Sequence, residues 1–210
     1  MESTLPDIHA RLAERLRRLR AERGLTLDGL AERAGVSRSM ISLVERGESS
    51  PTAAVLDRLS AGLGVTIASL FADEARADSS PVARRADQDS WRDPETGYVR
   101  RNLSPPGFPS PIELVEVVLP ARARVAYDTP GAARAVGISQ QLWVLEGRVE
   151  VTVGEVTHSL RVGDCLAMRV DGPTAFRNPA DRPARYVLAL TTDQTAPARP
   201  GRAGDREGGT

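Results

Sequence analysis

Lysine is missing from this 210-residue chain, so all 28 basic side chains are arginine. Beyond a coding bias, this leaves every cationic contact to a planar fork that suits phosphate and guanine edges. Net charge is missing too. The 28 arginines face 28 Asp and Glu, and no global basic field points to nucleic acid. A single cysteine, Cys165, excludes an internal disulfide and suits a reducing compartment. No apolar run is long enough to span a bilayer, and the first residues carry no apolar signal core. The expectation is a soluble, cytoplasmic protein with no membrane partner, holding one large or two small domains.

What is present begins with Ser37-Arg38-Ser39-Met40-Ile41-Ser42-Leu43-Val44-Glu45-Arg46-Gly47. Ser37 is suited to cap a helix and Gly47 to stop it. Ile41 and Val44 fall on one face; Arg38, Ser39, Ser42 and Arg46 fall on the other. Such a helix suits a major groove. Before it, Thr26 can cap a helix carrying Leu27, Leu30, Ala31 and Ala34, and Gly35-Val36 supplies a sharp turn. Two capped helices joined by a glycine turn predict a helix-turn-helix. The run from Leu16 to Phe71, with L-R-R-L-R-A-E-R-G-L-T-L-D-G-L-A-E-R-A-G-V-S-R-S-M-I-S-L-V-E-R-G-E-S-S-P-T at its heart, resembles the lambda-repressor-like (XRE-type) DNA-binding domain. The resemblance also implies that Arg20 lies near Glu45 as a structural ion pair.

Along the chain, Asp7 is a candidate cap for a first helix bearing Ile8, Leu12, Leu16 and Leu19 and ending near Gly24. Its outer arginines, Arg11, Arg15 and Arg18, suit solvent and phosphate equally. Thr52 can cap a fourth helix, stopped by Gly64, and Thr66 a short fifth. Through Ala72 there are ten arginines against nine acids, a net charge of +1. Specific contacts must therefore do more of the discriminating than phosphate attraction. The expected domain boundaries are residues 7–72 for the helical domain, 73–90 for a linker, 91–192 for a β domain and 193–210 for a disordered tail. From Ile112 onward, short β-branched runs broken by Gly, Pro and Asp predict a sandwich or barrel. Trp91 and Tyr98, flanking a Pro-Gly turn, are read as a loop over one barrel end, either packed or acting as a lid.

Trp143-Val144-Leu145-Glu146-Gly147 and the stretch from Gly163 through Asn178-Pro179 resemble the cupin fold. The fold class expected is therefore multidomain α + β, with an N-terminal five-helix lambda-repressor-like domain and a C-terminal cupin-type β-barrel. Aligned on the cupin pattern, the metal-binding Glu position is Gln140 and the last His position is Thr174. The first two His positions fall within Ala133–Val136. These residues do not supply imidazole and carboxylate ligands, so no metal and no cofactor is expected. His158 reads as a strand histidine and Cys165 as a small buried thiol.

The combination resembles bacterial one-component regulators in which a cupin senses a small molecule and helps to dimerise. It implies sequence-specific transcriptional regulation, without enzyme activity, by a homodimer on a palindromic operator in double-stranded DNA. The DNA-contacting residues expected are Thr26, Leu27, Ser37, Arg38, Ser39, Ser42, Leu43 and Arg46. Arg38 is aimed at guanine, Leu43 at a thymine methyl and Thr26 at a phosphate. The expected effector pocket is Gln140, Met168, Thr174, Phe176 and Asn178. Two alternatives stay open: a cupin enzyme with an autoregulatory DNA-binding domain, or a DNA-binding protein whose barrel only dimerises.

Overall fold

The computed structural model describes residues 8–71, 79–129 and 137–193. Five helices come first: α1 (Ile8–Glu22), α2 (Leu27–Ala34), α3 (Arg38–Glu45), α4 (Ala53–Leu63) and α5 (Ile67–Leu70). Local chemistry sets where they begin. Thr26, Ser37, Thr52 and Thr66 cap α2 to α5, each accepting from a backbone N–H of the first turn. Each such cap contributes about 1 kcal/mol. Gly35, at φ +61°, ends α2 and turns the chain into α3. The Asp7 cap expected for α1 lies outside the described residues.

The apolar stripes meet in one core. Leu12, Leu16 and Leu19 of α1, Leu30 of α2, Ile41 and Val44 of α3, and Leu56, Leu59 and Leu63 of α4 are all buried. Full burial of one such side chain contributes about 1.5–3 kcal/mol. Helices α2 and α4 pass so closely that a Cβ on Gly62 would lie 3.1 Å from the backbone nitrogen of Ala34.

A 3-10 turn at Arg85–Asp87 precedes ten strands. They are β1 (Ser90–Arg92), β2 (Val99–Asn102), β3 (Ile112–Leu119), β4 (Arg124–Tyr127), β5 (Gly137–Glu146), β6 (Arg148–Val153), β7 (Val156–Arg161), β8 (Cys165–Arg169), β9 (Thr174–Arg177) and β10 (Ala184–Asp193). They form a six-stranded sheet in the order β1-β2-β3-β10-β5-β8 and a four-stranded sheet in the order β4-β9-β6-β7. All pairings are antiparallel. Side chains alternate inward and outward as the period of two demands. Val115, Val117, Leu142, Val144 and Leu188 of the larger sheet are buried, as are Val149, Val151 and Phe176 of the smaller. At the β5–β6 turn, Gly147 (φ +77°) lies so near the chain that a Cβ would meet Ala184 Cα at 3.0 Å.

Two sequence expectations are corrected here, and of the two readings of Trp91 and Tyr98 the packed one fits: both belong to, or adjoin, the β1–β2 hairpin and are almost fully buried. Their strands are short and polar in the outward positions, which hid the alternation. Cys165 is exposed, because it opens β8 on the outward-facing side. The arginines of α1 are not a free phosphate-facing stripe. Arg11 pairs with Asp89 at 2.7 Å, and Arg15 Nε donates to the carbonyl of Ser69 at 3.4 Å. Of the expected linker, residues 73–78 lie outside the described residues, and Ser79 is held through its hydroxyl to the carbonyl of Gly107 at 2.9 Å. The expected tail beyond Asp193 is likewise outside them.

The helical domain is seated on the barrel through α4 and α5. Asp93, in the β1–β2 turn, accepts from the N–H of Ala53 at the start of α4 (3.1 Å). Glu113 of β3 accepts from the hydroxyls of Thr66 (2.7 Å) and Ser69 (2.8 Å) at α5. Phe71 meets the Trp91 ring at 5.9 Å between centroids.

Candidate DNA-reading surface and barrel cavity

The sequence-expected DNA residues gather on one surface, formed by the N-terminus of α2 and the outward face of α3. Thr26, Ser37, Arg38, Ser39 and Arg46 are exposed; Leu27, Ser42 and Leu43 are half-buried. The opposite face of α3 is fixed by Ile41 and Val44 in the core. Ser37 Oγ caps Met40 N–H at 3.2 Å and lies 3.2 Å from Ser39 Oγ. Thr26 Oγ1 accepts from Gly29 N–H at 3.0 Å. Both hydroxyls therefore keep lone pairs or a proton for an outside partner, beside N-terminal amides suited to a phosphate.

Two arginines dominate the charge of this surface. Arg38 Nε stands 3.3 Å from Asp28, and both side chains are mostly exposed (65% and 77%). Such a surface pair contributes little and is readily exchanged for another acceptor. Arg46 is more committed. Its Nε donates to Glu48 at 2.6 Å and its Nη1 donates to the Ser42 hydroxyl. Donation to the Glu48 carboxylate holds the Arg46 pKa above its ordinary value, and the same interaction holds Glu48 below its own.

Beneath the surface, Arg20 of α1 grips Glu45 at the end of α3. Nε and Nη2 donate to the two carboxylate oxygens at 2.7 Å each, and Nη1 donates to the carbonyl of Leu25 at 2.9 Å. Donation to the Glu45 carboxylate raises the Arg20 pKa against the opposing effect of burial. With only 7% of its side chain exposed, Glu45 is turned away from any base.

The second feature is a cavity of about 60 Å³ between the barrel mouth and the helices above it. Asp57 of α4 and Thr66 and Ile67 of α5 line its upper side. The barrel contributes Tyr98, Arg100, Tyr127, Gln140, Thr174, Phe176 and Tyr186 among aliphatic walls. Phe176 packs edge-on to Tyr127 (5.9 Å) and parallel to Tyr186 (6.1 Å). Burial pushes the Tyr127 and Tyr186 hydroxyls well above their ordinary pKa, so both are neutral at physiological pH. Three of the five sequence-expected pocket residues, Gln140, Thr174 and Phe176, thus share one cavity.

Two do not. Asn178 is fully buried but spent on the turn after β9: its Nδ2 donates to the carbonyls of Leu119, Pro120 and Arg182, and its Oδ1 accepts from Ala180 N–H. Met168 packs against the core and lines a shallow groove beside β5 instead. Tyr127 and Tyr186 were missed, and so was Arg100, because a Val-Arg-Arg-Asn strand reads as surface. The signal was the register: Arg100 pairs with Trp91, an aromatic placed to face inward.

The cavity donors do not fit a divalent cation. Gln140 and Thr174 are neutral, and an arginine stands beside them. Among the described residues no three His, Cys, Asp or Glu side chains converge. The stretch 133–136, where the cupin pattern puts two histidines, lies outside the described residues.

Comparison with known proteins matches residues 16–70 to the helix-turn-helix family and residues 138–190 to the cupin domain family. Over 83% of this chain and 91% of its own length, the HTH-type transcriptional regulator SutR of Escherichia coli is 26% identical. Control protein C.MunI of a Mycoplasma species is 34% identical over 32% of this chain and 92% of its own length. The crystal structure of an HTH_3 family transcriptional regulator from Vibrio cholerae aligns over 88% of this chain and 96% of that one, with a TM-score of 0.67 and 27% identity.

Proposed function

We propose a division of labour for this chain, which belongs to the helix-turn-helix transcriptional regulators that carry a C-terminal cupin domain. The α2–α3 surface reads operator DNA, and the barrel binds a small effector and pairs two copies. The carrying observation is the arrangement of α3, rooted by Ile41, Val44 and the Arg20–Glu45 pair, with Arg38, Ser39 and Ser42 facing outward.

In this reading Arg38 exchanges Asp28 for a guanine edge, Ser39 and Ser42 reach base edges or phosphates, and Leu43 meets a thymine methyl. Thr26, Leu27, Ser37 and Arg46 fix the register on the backbone. One reading helix covers a single half-site, so two copies are needed on a palindrome. The outer face of the six-stranded sheet supports pairing: Ile112, Leu114 and Trp143 are large, apolar and between 38% and 52% exposed. In this reading the two barrels meet through that sheet face. The barrel acts by binding and catalyses no reaction, and the protein works in the cytoplasm.

The cavity supports the effector role because its roof is built from α4 and α5. An occupant touching Thr66 or Ile67 acts on α4 and α5, which pack on the α2 and α1 that hold α3, without any contact to DNA. Selection of bound duplexes from a random pool, with sedimentation of the free protein, tests the reading. The expected outcome is a two-fold symmetric site bound by a dimer, lost on Trp143→Arg. Enrichment of no sequence would end it.

A further inference from the structure

The cavity contains a charge for which the fold supplies no hydrogen-bonded counter-ion among the described residues. Arg100 is 5% exposed, and its Nε has no hydrogen-bond partner among those residues. Its other contacts are with phenols and one carboxylate, none of them reaching Nε. It hydrogen-bonds the Tyr98 side chain and feels the field of Glu113. Glu113, however, already takes the hydroxyl protons of Thr66 and Ser69 on its two oxygens. Asp57 lines the α4 side and has interactions of its own. A guanidinium held away from water with an empty donor is costly unless something pairs with it.

The space beside it is suited to such a partner. A volume of about 60 Å³ is several times what one ordered water needs, about 10–15 Å³. One wall is polar, with Arg100 and the neutral hydroxyl of Tyr186 as donors and the Tyr127 hydroxyl bonded to Tyr98. The other is aliphatic, with Ile138, Leu188 and Leu190. We propose that the cavity binds a short-chain organic carboxylate, its charged end on Arg100 and its apolar body against those three residues. The assignment rests on the effector-binding reading above and specifies the ligand class. Two donors of one guanidinium and a phenol match the two oxygens of a carboxylate.

The test uses the full chain and defined probes: propionate, butyrate and hexanoate, their primary amides, and sulfate. Binding is read by calorimetry and by thermal shift, for the wild type, Arg100→Gln and Tyr186→Phe. A carboxylate is expected to bind and raise Tm, while its amide does not. Arg100→Gln is expected to weaken that binding by about ten- to a hundred-fold, in keeping with loss of a charged hydrogen bond. Tyr186→Phe, which removes only a hydroxyl, is expected to weaken it less.

Amides binding as well as acids, sulfate binding alone, no probe binding, or an unchanged Arg100→Gln affinity would each overturn the assignment. Duplex binding is measured on the same preparations. Intact DNA binding without carboxylate binding removes the ligand class and leaves the regulator reading standing. Absence of DNA binding in the wild type removes the regulator reading instead.

Discussion

Arg20 and Glu45 are joined by two parallel hydrogen bonds of 2.7 Å, tying α1 to the end of α3. The pair lies across a sequence gap of 25 residues and takes a third bond from the α1–α2 connection through Leu25. It therefore sets the angle of α3 and is not available to a base.

Breaking one side of this pair should destabilise the helical domain. Removing one partner of a buried pair costs roughly 3–5 kcal/mol. Because Arg20 keeps 18% of its side chain exposed, the lower end is expected. Urea unfolding of Glu45→Ala reads the loss. A stability within about 0.5 kcal/mol of wild type, as for an ordinary surface substitution, would show that the pair does not anchor α3.

Arg38→Ala should act on sequence preference and not on folding. The side chain is 65% exposed and loses only a surface partner. The expected cost is about 1–3 kcal/mol at one base-pair position, with relaxed preference there. Equal weakening on all duplexes would make Arg38 a phosphate contact. Asp28→Asn, which frees Arg38 and removes a negative charge, should strengthen DNA binding at low salt.

Acid sensitivity should depend on Glu116. Burial tends to raise its pKa, but hydrogen bonds from Arg101 and Arg185 outweigh it and hold the group below 4.5. A depressed folded pKa adds stability that is full above the unfolded pKa and fades as pH falls through the folded one. Thermal unfolding across pH should therefore show a wild-type advantage over Glu116→Gln above about pH 4.5 that shrinks below it. A difference independent of pH would point to packing instead of charge.

Glu113→Ala should separate reading from response. The carboxylate ties the Thr66 and Ser69 hydroxyls of α5 to β3, far from the exposed face of α3. DNA affinity should stay within about threefold of wild type, under about 0.7 kcal/mol. Amide exchange at α5 should quicken, and any effector dependence of DNA binding should disappear. Retained dependence would exclude this tie as the route between the two sites.

The helical half was legible because its signals are local. Thr26, Ser37, Thr52 and Thr66 act within one turn of themselves, so the residue types and spacing suffice. The barrel was legible only where strands were long and apolar, as in β3 and β10. Its first hairpin was not: Ser90–Arg92 is too short for alternation to stand out, and its partner strand carries two arginines. Asn178 was placed in the cavity by the cupin pattern, which keeps the residue without telling which way it points. Its four hydrogen bonds show that it serves the turn. Arg100 lay beyond sequence reasoning for a related reason. Burial of one arginine out of 28 is decided by strand register and by a roof contributed from another domain.

The attachment of α4 to Asp93 has a practical corollary for anyone building hybrids. Ala53 opens the helix immediately downstream of the recognition segment, and its amide is answered by a turn belonging to the other module. A transplant cut between the two halves would leave that amide and that carboxylate facing strangers. Retargeting is better done by repainting the outward side chains of α3 and leaving the seam untouched.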